Sequence, residues 1–282
     1  MVVAKPHKMN IEITTKCNGQ CIMCPQNEME RRGKYMRVPD IMKTVKEAYE
    51  LGVRRIHPHL FGEPTMHPDY EMVLRMIRRE YPDIKMANYT NGSKLVHKRI
   101  RDAMIEYLDE ITISIDGASD FTMKMVRPGI QPSDVRMGVR ELYESRGGAV
   151  KPYIKIRMTE MECNKSEALK QYSESWSKYC DDIFITYLQD FHGFRGIKVE
   201  HRGNDPCDRI FSQVMVTVDR DVILCCDDYR GEVILGNLND ATMREIWYGR
   251  KMEQIRQAHL NGKAKNILMC KECSWRGKLK IQ

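Results

Sequence analysis

The 282-residue sequence contains no apolar run long enough to span the hydrocarbon core of a bilayer. Its first residues, Met1–Lys8, are too few and too polar to form the apolar region of a secretory signal peptide. Internal repeats and low-complexity segments are also absent from the sequence. We therefore expect a soluble, cytoplasmic protein without a membrane partner. In that compartment its ten cysteines remain reduced and available to bind metal.

Blocks of a single charge sign are scarce as well. Lys and Arg outnumber Asp and Glu by 46 to 39, a formal net charge of +7, but the basic residues are scattered along the chain. Scattered charges of this kind are typical of solvated helix faces, so we do not expect a nucleic-acid partner.

Up to about residue 190 the chain alternates short β-branched runs with amphipathic helical stretches. This alternation is typical of βαβ units and a parallel sheet. Because six units are two fewer than a closed eightfold barrel contains, the sequence predicts an α/β fold with an open, partial (β/α)6 barrel. The predicted strands are Met9–Thr14, Arg55–Phe61, Ile84–Thr90, Glu110–Asp116, Tyr153–Met158 and Asp182–Leu188. The predicted helices are Val38–Leu51, Pro68–Tyr81, Lys94–Leu108, Val135–Ser145 and Lys165–Tyr179.

Alternating positions in three predicted strands place polar residues inside this barrel. In Ile111–Asp116, for example, the isoleucines would face the helices and their polar neighbours would point inward. A polar interior costs stability unless it holds ligand or water, so we interpret it as a cavity. The alternative is that the strands merely carry some paired polar residues. The inward positions are Asn10, Glu12, Thr14, Thr112, Ser114, Asp116, Lys155 and Arg157.

Three cysteines near the N-terminus, Cys17, Cys21 and Cys24, follow the spacing Cys-x3-Cys-x2-Cys. Three thiolates on one short loop can hold three corners of a [4Fe–4S] cube and leave its fourth iron open to a small molecule. A zinc site would favour paired cysteine arms, and a disulfide framework would suit a short secreted chain. The spacing resembles the signature of the radical S-adenosylmethionine (SAM) superfamily. The resemblance implies an enzyme in which SAM binds the open iron and is cleaved to a 5′-deoxyadenosyl radical.

Three predicted strand ends extend this resemblance. Phe61–Pro64 resembles the family's GGE motif, with Phe61 in place of the first glycine, and Tyr89–Gly92 and Ser114–Gly117 resemble segments at the next strand ends. Each residue has the alternative of being a turn or core polar residue. The resemblance implies that Gly62, Glu63 and Pro64 bind the amino group of SAM and that Arg127 or Arg157 binds its carboxylate. Ser114 and Asp116 would bind the ribose hydroxyls, and Asn91 is a further implied SAM-binding residue.

The C-terminal third supplies a second group of cysteines, Cys207, Cys225, Cys270 and Cys273. Four ligands suffice for a second [4Fe–4S] cluster without an open iron, or for a zinc ribbon, and Cys226 is an alternative to its neighbour Cys225. With residues 219–247 they resemble the SPASM extension of radical SAM enzymes, in the shortened twitch form of the 2-deoxy-scyllo-inosamine dehydrogenase type. The resemblance implies a small C-terminal α+β iron–sulfur domain (191–282) after the barrel (1–190). The stretch 190–205, which contains glycines and has no clear period, is interpreted as a linker.

These features predict a dehydrogenase that uses SAM and two [4Fe–4S] clusters. It would oxidise a carbon bearing oxygen or nitrogen in a small polar substrate (a sugar, cyclitol or aminoglycoside-like molecule), and the second cluster would accept the electron. An electron donor such as flavodoxin or ferredoxin is implied. Three alternatives stay open: an epimerase with Cys163, just past the fifth strand, as hydrogen donor; an enzyme that modifies a ribosomal peptide; and a non-catalytic iron–sulfur or zinc protein. We expect Cys180 to be an inert, small apolar residue.

Overall fold

The computed structural model describes residues 5–167, 170–189, 191, 206–271 and 273. Its strands are β1 (Lys8–Ile11), β2 (Arg55–His57), β3 (Lys85–Thr90), β4 (Glu110–Ser114), β5 (Tyr153–Glu160), β6 (Asp182–Tyr187), β7 (Gln213–Val216), β8 (Asp221–Ile223) and β9 (Ile234–Asn237). They form one sheet in the order β6-β5-β4-β3-β2-β1-β7-β8-β9. Because β6 and β9 are the edges of the described sheet, the barrel is open, which confirms the predicted α/β partial barrel.

Strands β1 to β6 all run parallel, as the alternation of strands and helices predicts. Within the described ranges the helices are α1 (Val38–Leu51), α2 (Tyr70–Glu80), α3 (Lys98–Tyr107), α4 (Asp120–Val126), α5 (Pro132–Arg146), α6 (Lys170–Trp176), α7 (Arg209–Ser212), α8 (Met243–Trp247) and α9 (Arg250–Leu260). None of these helices has the length and apolarity needed to cross a membrane.

Most helix predictions match within a few residues, and α1 has the predicted bounds. The sequence did not predict α4, which begins where the Ser119 hydroxyl accepts a hydrogen bond from the backbone N–H of Thr122 at 3.1 Å. The predicted helix over Lys165–Tyr179 is reduced to α6 between two single 3-10 turns. A short helix with one side-chain cap carries too little periodicity to be recognised from sequence.

The two faces of the parallel strands differ in chemistry. Met9, Ile56, Ile113 and Ile156 belong to the hydrophobic core, which lies between the sheet and the surrounding helices. Their neighbours along each strand point to the concave face, where Asn10, Glu12 and Thr112 are buried. The predicted polar interior therefore exists, and it is the face that holds the candidate site.

The C-terminal part of the chain continues the same sheet. Strand β7 pairs with β1 in parallel, from Lys8 opposite Gln213 to Ile11 opposite Val216, and β8 and β9 add in antiparallel fashion. The predicted hairpin turn at Asp219–Asp221 lies close to the observed turn between β7 and β8. The predicted boundary at 190/191 and its linker fall largely outside the described residues, as does the tail after residue 273, so the domain division stays a prediction.

Candidate functional site

The first cysteine group lies on the loop that follows β1. The loop is held against the C-terminal end of α4 and the residues that follow it, because Ile22 N–H donates to the Val126 carbonyl at 3.0 Å and Gln20 N–H donates to the Pro128 carbonyl at 2.7 Å. Gly129 makes this approach possible: it has a φ of +87°, and a Cβ there would lie 2.5 Å from the Asn18 carbonyl oxygen. The backbone thus fixes the loop at the carboxyl end of the parallel strands, where such sheets form active sites.

The sulfur atoms of this loop face hydrogen-bond donors. Gly19 N–H lies 3.4 Å from Cys17 Sγ, Asn91 Nδ2 lies 3.9 Å from the same sulfur, and Arg127 Nη1 lies 3.7 Å from Cys21 Sγ. Burial raises the pKa of the Cys17 thiol to about 12, and the nearby Glu63 adds to the effect. Burial also raises the pKa of Cys21, although Arg127 opposes it. Donors around buried sulfurs suit thiolates that carry a metal centre.

Glu63 forms the wall beside this loop. It is 2% exposed, and its Oε1 accepts hydrogen bonds from the hydroxyls of Thr65 at 2.7 Å and Thr90 at 2.8 Å. Its Oε2 accepts one from Asn91 N–H at 2.7 Å. Burial raises the pKa of Glu63, while these hydrogen bonds oppose the increase. These hydrogen bonds therefore fix the orientation of the carboxylate.

Gly62 brings Glu63 close to the cysteine loop. Its φ is +83°, and a Cβ at this position would lie 2.6 Å from the Thr14 carbonyl oxygen and 2.9 Å from Thr15 Cα. Glu63 N–H in turn donates to the Lys16 carbonyl at 2.8 Å. Any side chain at residue 62 would push the two segments apart, so the glycine of the predicted motif has a steric reason.

Asp116 and Arg127, both predicted to bind SAM, bind each other. Arg127 Nε and Nη2 lie 2.6 and 2.5 Å from Asp116 Oδ2, and Asp116 Oδ1 accepts a hydrogen bond from Thr159 N–H at 2.6 Å. Burial disfavours the charge of Arg127, but Asp116 and Cys21 raise its pKa. The pair thus presents Arg127 to the cysteine loop as a fixed cation.

Arg157 is the second arginine predicted for the SAM carboxylate, and it is differently placed. It pairs with Ser114 in the register of β4 and β5, and its guanidinium carbon lies 5.5 Å from the centre of the Tyr89 ring. Its Nε is buried without a hydrogen-bond partner among the described residues, and burial lowers its pKa. An arginine with a free buried donor is suited to receive a carboxylate.

The second cysteine group lines a single cavity. Its walls include Cys207, Cys225, Cys270 and Cys273, whereas Cys226 is not among the lining residues. The interaction between the two neighbouring thiols lowers the pKa of Cys225 and raises that of Cys226. Cys226 Sγ lies 3.0 Å from Arg209 Nη1 and 3.6 Å from Asp227 Oδ1, whereas Cys225 Sγ lies 3.9 Å from the same arginine nitrogen. This arrangement favours Cys225 as the ligand.

His259 also reaches this cavity, although the sequence analysis did not single it out. It is 1% exposed, its Nδ1 accepts a hydrogen bond from Cys207 N–H at 3.2 Å, and its Nε2 lies 3.3 Å from Cys270 Sγ. Because Nδ1 is the acceptor, Nε2 carries the proton and donates to the sulfur. A histidine inside a helix gives no local signal of such a contact, which arises only when α9 packs against the cysteine segment.

The remaining cysteines, Cys163 and Cys180, differ in burial. Cys163 is exposed on the turn after β5, next to Asn164, whose Nδ2 donates to the Asp116 carbonyl at 3.1 Å. Cys180 is buried and its thiol lies 3.5 Å from the Trp176 carbonyl, as expected of a small apolar residue. The role of Cys163 stays a prediction.

Comparison with known proteins identifies the architecture. Residues 11–158 match the family model described as the radical SAM superfamily, which is more than half of the chain. The chain belongs to the radical SAM superfamily. Residues 207–274 of this radical SAM enzyme match the model of the SPASM iron–sulfur cluster-binding domain.

Individual relatives agree with this assignment. The S-adenosyl-L-methionine-dependent 2-deoxy-scyllo-inosamine dehydrogenase of Niallia circulans is 21% identical over 94% of this chain and 92% of its own. A probable GTP 3′,8-cyclase of Methanococcus maripaludis is 25% identical over 72% of this chain and 68% of its own. BtrN in complex with AdoMet and 2-DOIA superimposes with a TM-score of 0.66 and 18% identity, covering 95% of this chain and 92% of that one.

The residues of both cysteine groups fit the cofactors that a radical SAM enzyme with a SPASM domain requires, namely SAM and [4Fe–4S] clusters. The loop group offers three sulfurs, the oriented carboxylate of Glu63 and the free donor of Arg157. The cavity group offers four sulfurs and the donor of His259. The match of residues 207–274 to an iron–sulfur cluster-binding domain favours an iron–sulfur cluster over a zinc ribbon in this part of the chain, and the assignment of its cysteine ligands stays a prediction.

Proposed function

We propose that this radical SAM enzyme is a dehydrogenase that oxidises a carbon bearing oxygen or nitrogen in a small polar substrate of the sugar or cyclitol class. The observation that carries the proposal is the cavity lined by Cys207, Cys225, Cys270 and Cys273. Four sulfurs leave a [4Fe–4S] cluster no open iron for substrate, so the second cluster is suited to accept an electron.

In this proposal each SAM-contacting residue has one task. Cys17, Cys21 and Cys24 hold the first cluster, and Glu63 receives the amino group of SAM. Arg157 receives the SAM carboxylate, because its Nε is the buried arginine donor left free beside the site. When bound, the reduced first cluster and SAM supply a 5′-deoxyadenosyl radical, which removes a hydrogen atom from the substrate. Flavodoxin or ferredoxin is the proposed electron donor.

An epimerase is the second candidate, and Cys163 is the reason to keep it. Its turn is tied to the site through Asn164, and Met161 of the same turn packs against Met23 of the cysteine loop. A thiol near a substrate radical can return a hydrogen atom. Cys163 itself is exposed, however, which favours dehydrogenation.

The test uses the reconstituted enzyme under anaerobic conditions with SAM, dithionite and a pool of small polar metabolites. We expect 5′-deoxyadenosine to form, and one metabolite to lose two hydrogen atoms by mass spectrometry. The Cys17→Ala variant, which lacks one ligand of the first cluster, is the control and should form neither product. Formation of 5′-deoxyadenosine with an isomer of unchanged mass would refute dehydrogenation, and absence of 5′-deoxyadenosine would refute SAM cleavage itself.

A further inference from the structure

The concave face of the sheet carries an excess of positive charge toward the amino-terminal ends of its strands, away from the proposed SAM-binding residues at the carboxyl ends. Lys8 on β1, Arg55 on β2, and Lys155 and Arg157 on β5 all occupy the strand positions that alternate with core residues. Within the parallel strands β1 to β6, the acidic residues on the same face are Glu110 and Asp182. Glu12 and Asp116, nearer the cysteine loop, are each already paired with an arginine.

Glu110 serves two of these cations at once. Its carboxylate lies 2.9 Å from Arg55 Nη2 and 2.5 Å from Lys155 Nζ. Asp182 is beside Lys155 in the register of β5 and β6, but it is exposed and not within salt-bridge distance. One carboxylate thus neutralises only half the charge of its two partners.

Lys8 has no ion pair within the described part of the chain. Burial lowers its pKa and Cys226 opposes this decrease, whereas Arg55 and Arg209 lower the pKa further and Glu110 has the smallest, opposing effect. A half-buried ammonium group without a carboxylate is costly, and an anion placed beside it would remove that cost.

Buried polar atoms without partners lie on the same face. His57 is 3% exposed and Thr112 is 1% exposed, and neither His57 Nδ1 nor Thr112 Oγ1 has a hydrogen-bond partner among the described residues. His57 Nε2 accepts a hydrogen bond from Arg55 Nε at 3.1 Å, so Nδ1 carries the proton and is a donor. A buried polar atom without a partner destabilises the fold, and a bound acceptor would remove that cost.

We propose that the substrate carries an anionic oxygen group, a carboxylate or a phosphate, and that Lys8, Lys155 and the free donors of His57 and Thr112 bind it. The proposal rests on the proposed function, because it names the class of molecule that the dehydrogenase accepts. A sugar acid or a sugar phosphate carries such an anionic group and also belongs to the sugar class of the proposed function. A substrate with an ammonium group at this position would instead be repelled by the cations that no carboxylate neutralises.

The experiment measures anion binding to the reconstituted holoenzyme by anaerobic titration calorimetry, with SAM present at saturation so that its own carboxylate site is filled. The probes are inorganic phosphate and malonate, with ethanolamine as the cationic probe. Wild type, Lys8→Gln, and Lys8→Gln with Lys155→Gln are compared, and Lys98→Gln, on the exposed surface of α3, is the matched control.

We expect phosphate or malonate to bind saturably to wild type and to Lys98→Gln, and ethanolamine not to bind. The dissociation constant should rise at least tenfold in Lys8→Gln, which remains informative if the double variant fails to fold. Binding of phosphate alone identifies a phosphate-bearing substrate, and binding of malonate alone identifies a carboxylic acid; either supports the proposal.

Two results would overturn it: no saturable anion binding to wild type, or equal binding to wild type and Lys8→Gln. The formation of 5′-deoxyadenosine is measured on the same preparation. Enzyme that cleaves SAM but binds no anion refutes only the anionic substrate, whereas enzyme that binds anions but never cleaves SAM refutes the proposed function.

Discussion

Arg127 donates two hydrogen bonds to a single carboxylate oxygen of Asp116, at 2.6 and 2.5 Å, while its third nitrogen lies 3.7 Å from Cys21 Sγ. The two residues are 7% and 0% exposed. Each is also predicted to contact SAM, and that role stays a prediction. The pair places the Arg127 guanidinium beside the cysteine loop. For the SAM carboxylate we propose Arg157, whose Nε has no hydrogen-bond partner among the described residues.

The two arginines should therefore respond differently to substitution. Arg127→Gln leaves Asp116 buried and unpaired, so we expect the free energy of unfolding to fall by about 3–5 kcal/mol. Arg157→Gln should leave the midpoint of urea unfolding near that of wild type and weaken SAM binding by about tenfold or more, since one charged hydrogen bond is lost. Equal loss of stability in both variants would contradict this division of roles.

Substitution of Cys225 and of Cys226 in turn can show which of these two adjacent cysteines is a ligand of the second cluster. Cys225→Ala should lower the iron content from about eight to about four atoms per chain, because one of four ligands is lost. Cys226→Ala should keep both clusters, since Cys226 does not line the cavity. Iron and sulfide analysis with electron paramagnetic resonance measures both results, and the reverse pattern would make Cys226 the ligand.

His259 should tune the potential of that cluster. Removing its hydrogen bond to Cys270 Sγ leaves more negative charge on the sulfur, which makes the cluster harder to reduce. A hydrogen bond of about 0.5–1.5 kcal/mol corresponds to a potential about 20–60 mV lower in His259→Phe for a one-electron couple. A redox titration followed by electron paramagnetic resonance measures the shift. His97→Phe, at an exposed surface position, is the control, and an unchanged potential in His259→Phe would exclude the hydrogen bond.

The features that depend on neighbouring residues could be predicted from the sequence. The spacing of Cys17, Cys21 and Cys24 and the alternation in β4 and β5 are local patterns, and each appears in the structure as predicted. The features that depend on contacts between distant segments of the chain could not be predicted in this way. The pairing of β7 with β1 joins residues about two hundred positions apart and has no local signature. The mutual pairing of Asp116 and Arg127 depends in the same way on α4, a short helix that the pattern does not reveal.

The concave face should also make stability depend on pH. Burial lowers the pKa of His59 to about 3, and Lys8 and Arg157 contribute to the decrease. The unfolded chain takes up a proton near its ordinary value of about 6.5, whereas the folded protein does not, so stability falls as the pH decreases from about 6.5 toward 3. Relative to His59→Gln, wild type should lose up to about 1.4 kcal/mol per pH unit below about 6.5. Urea unfolding at about pH 7 and pH 5 measures this, and parallel losses in both proteins would contradict it.

The outcome of the reaction can be decided by the hydrogen that the product carries. Both candidate reactions begin with removal of a substrate hydrogen, so 5′-deoxyadenosine forms in either case. A dehydrogenase needs no thiol donor, so Cys163→Ala should retain product formation within about twofold of wild type, and product made in D2O should carry no new deuterium at carbon. An epimerase takes its hydrogen from an exchangeable thiol, so its product would carry one deuterium and Cys163→Ala would stall after abstraction. Cys180→Ala, which removes a buried thiol, is the control. Because Cys163 is exposed and the second cavity offers four sulfurs, we expect the dehydrogenase result; deuterium that disappears with Cys163 would establish the epimerase instead.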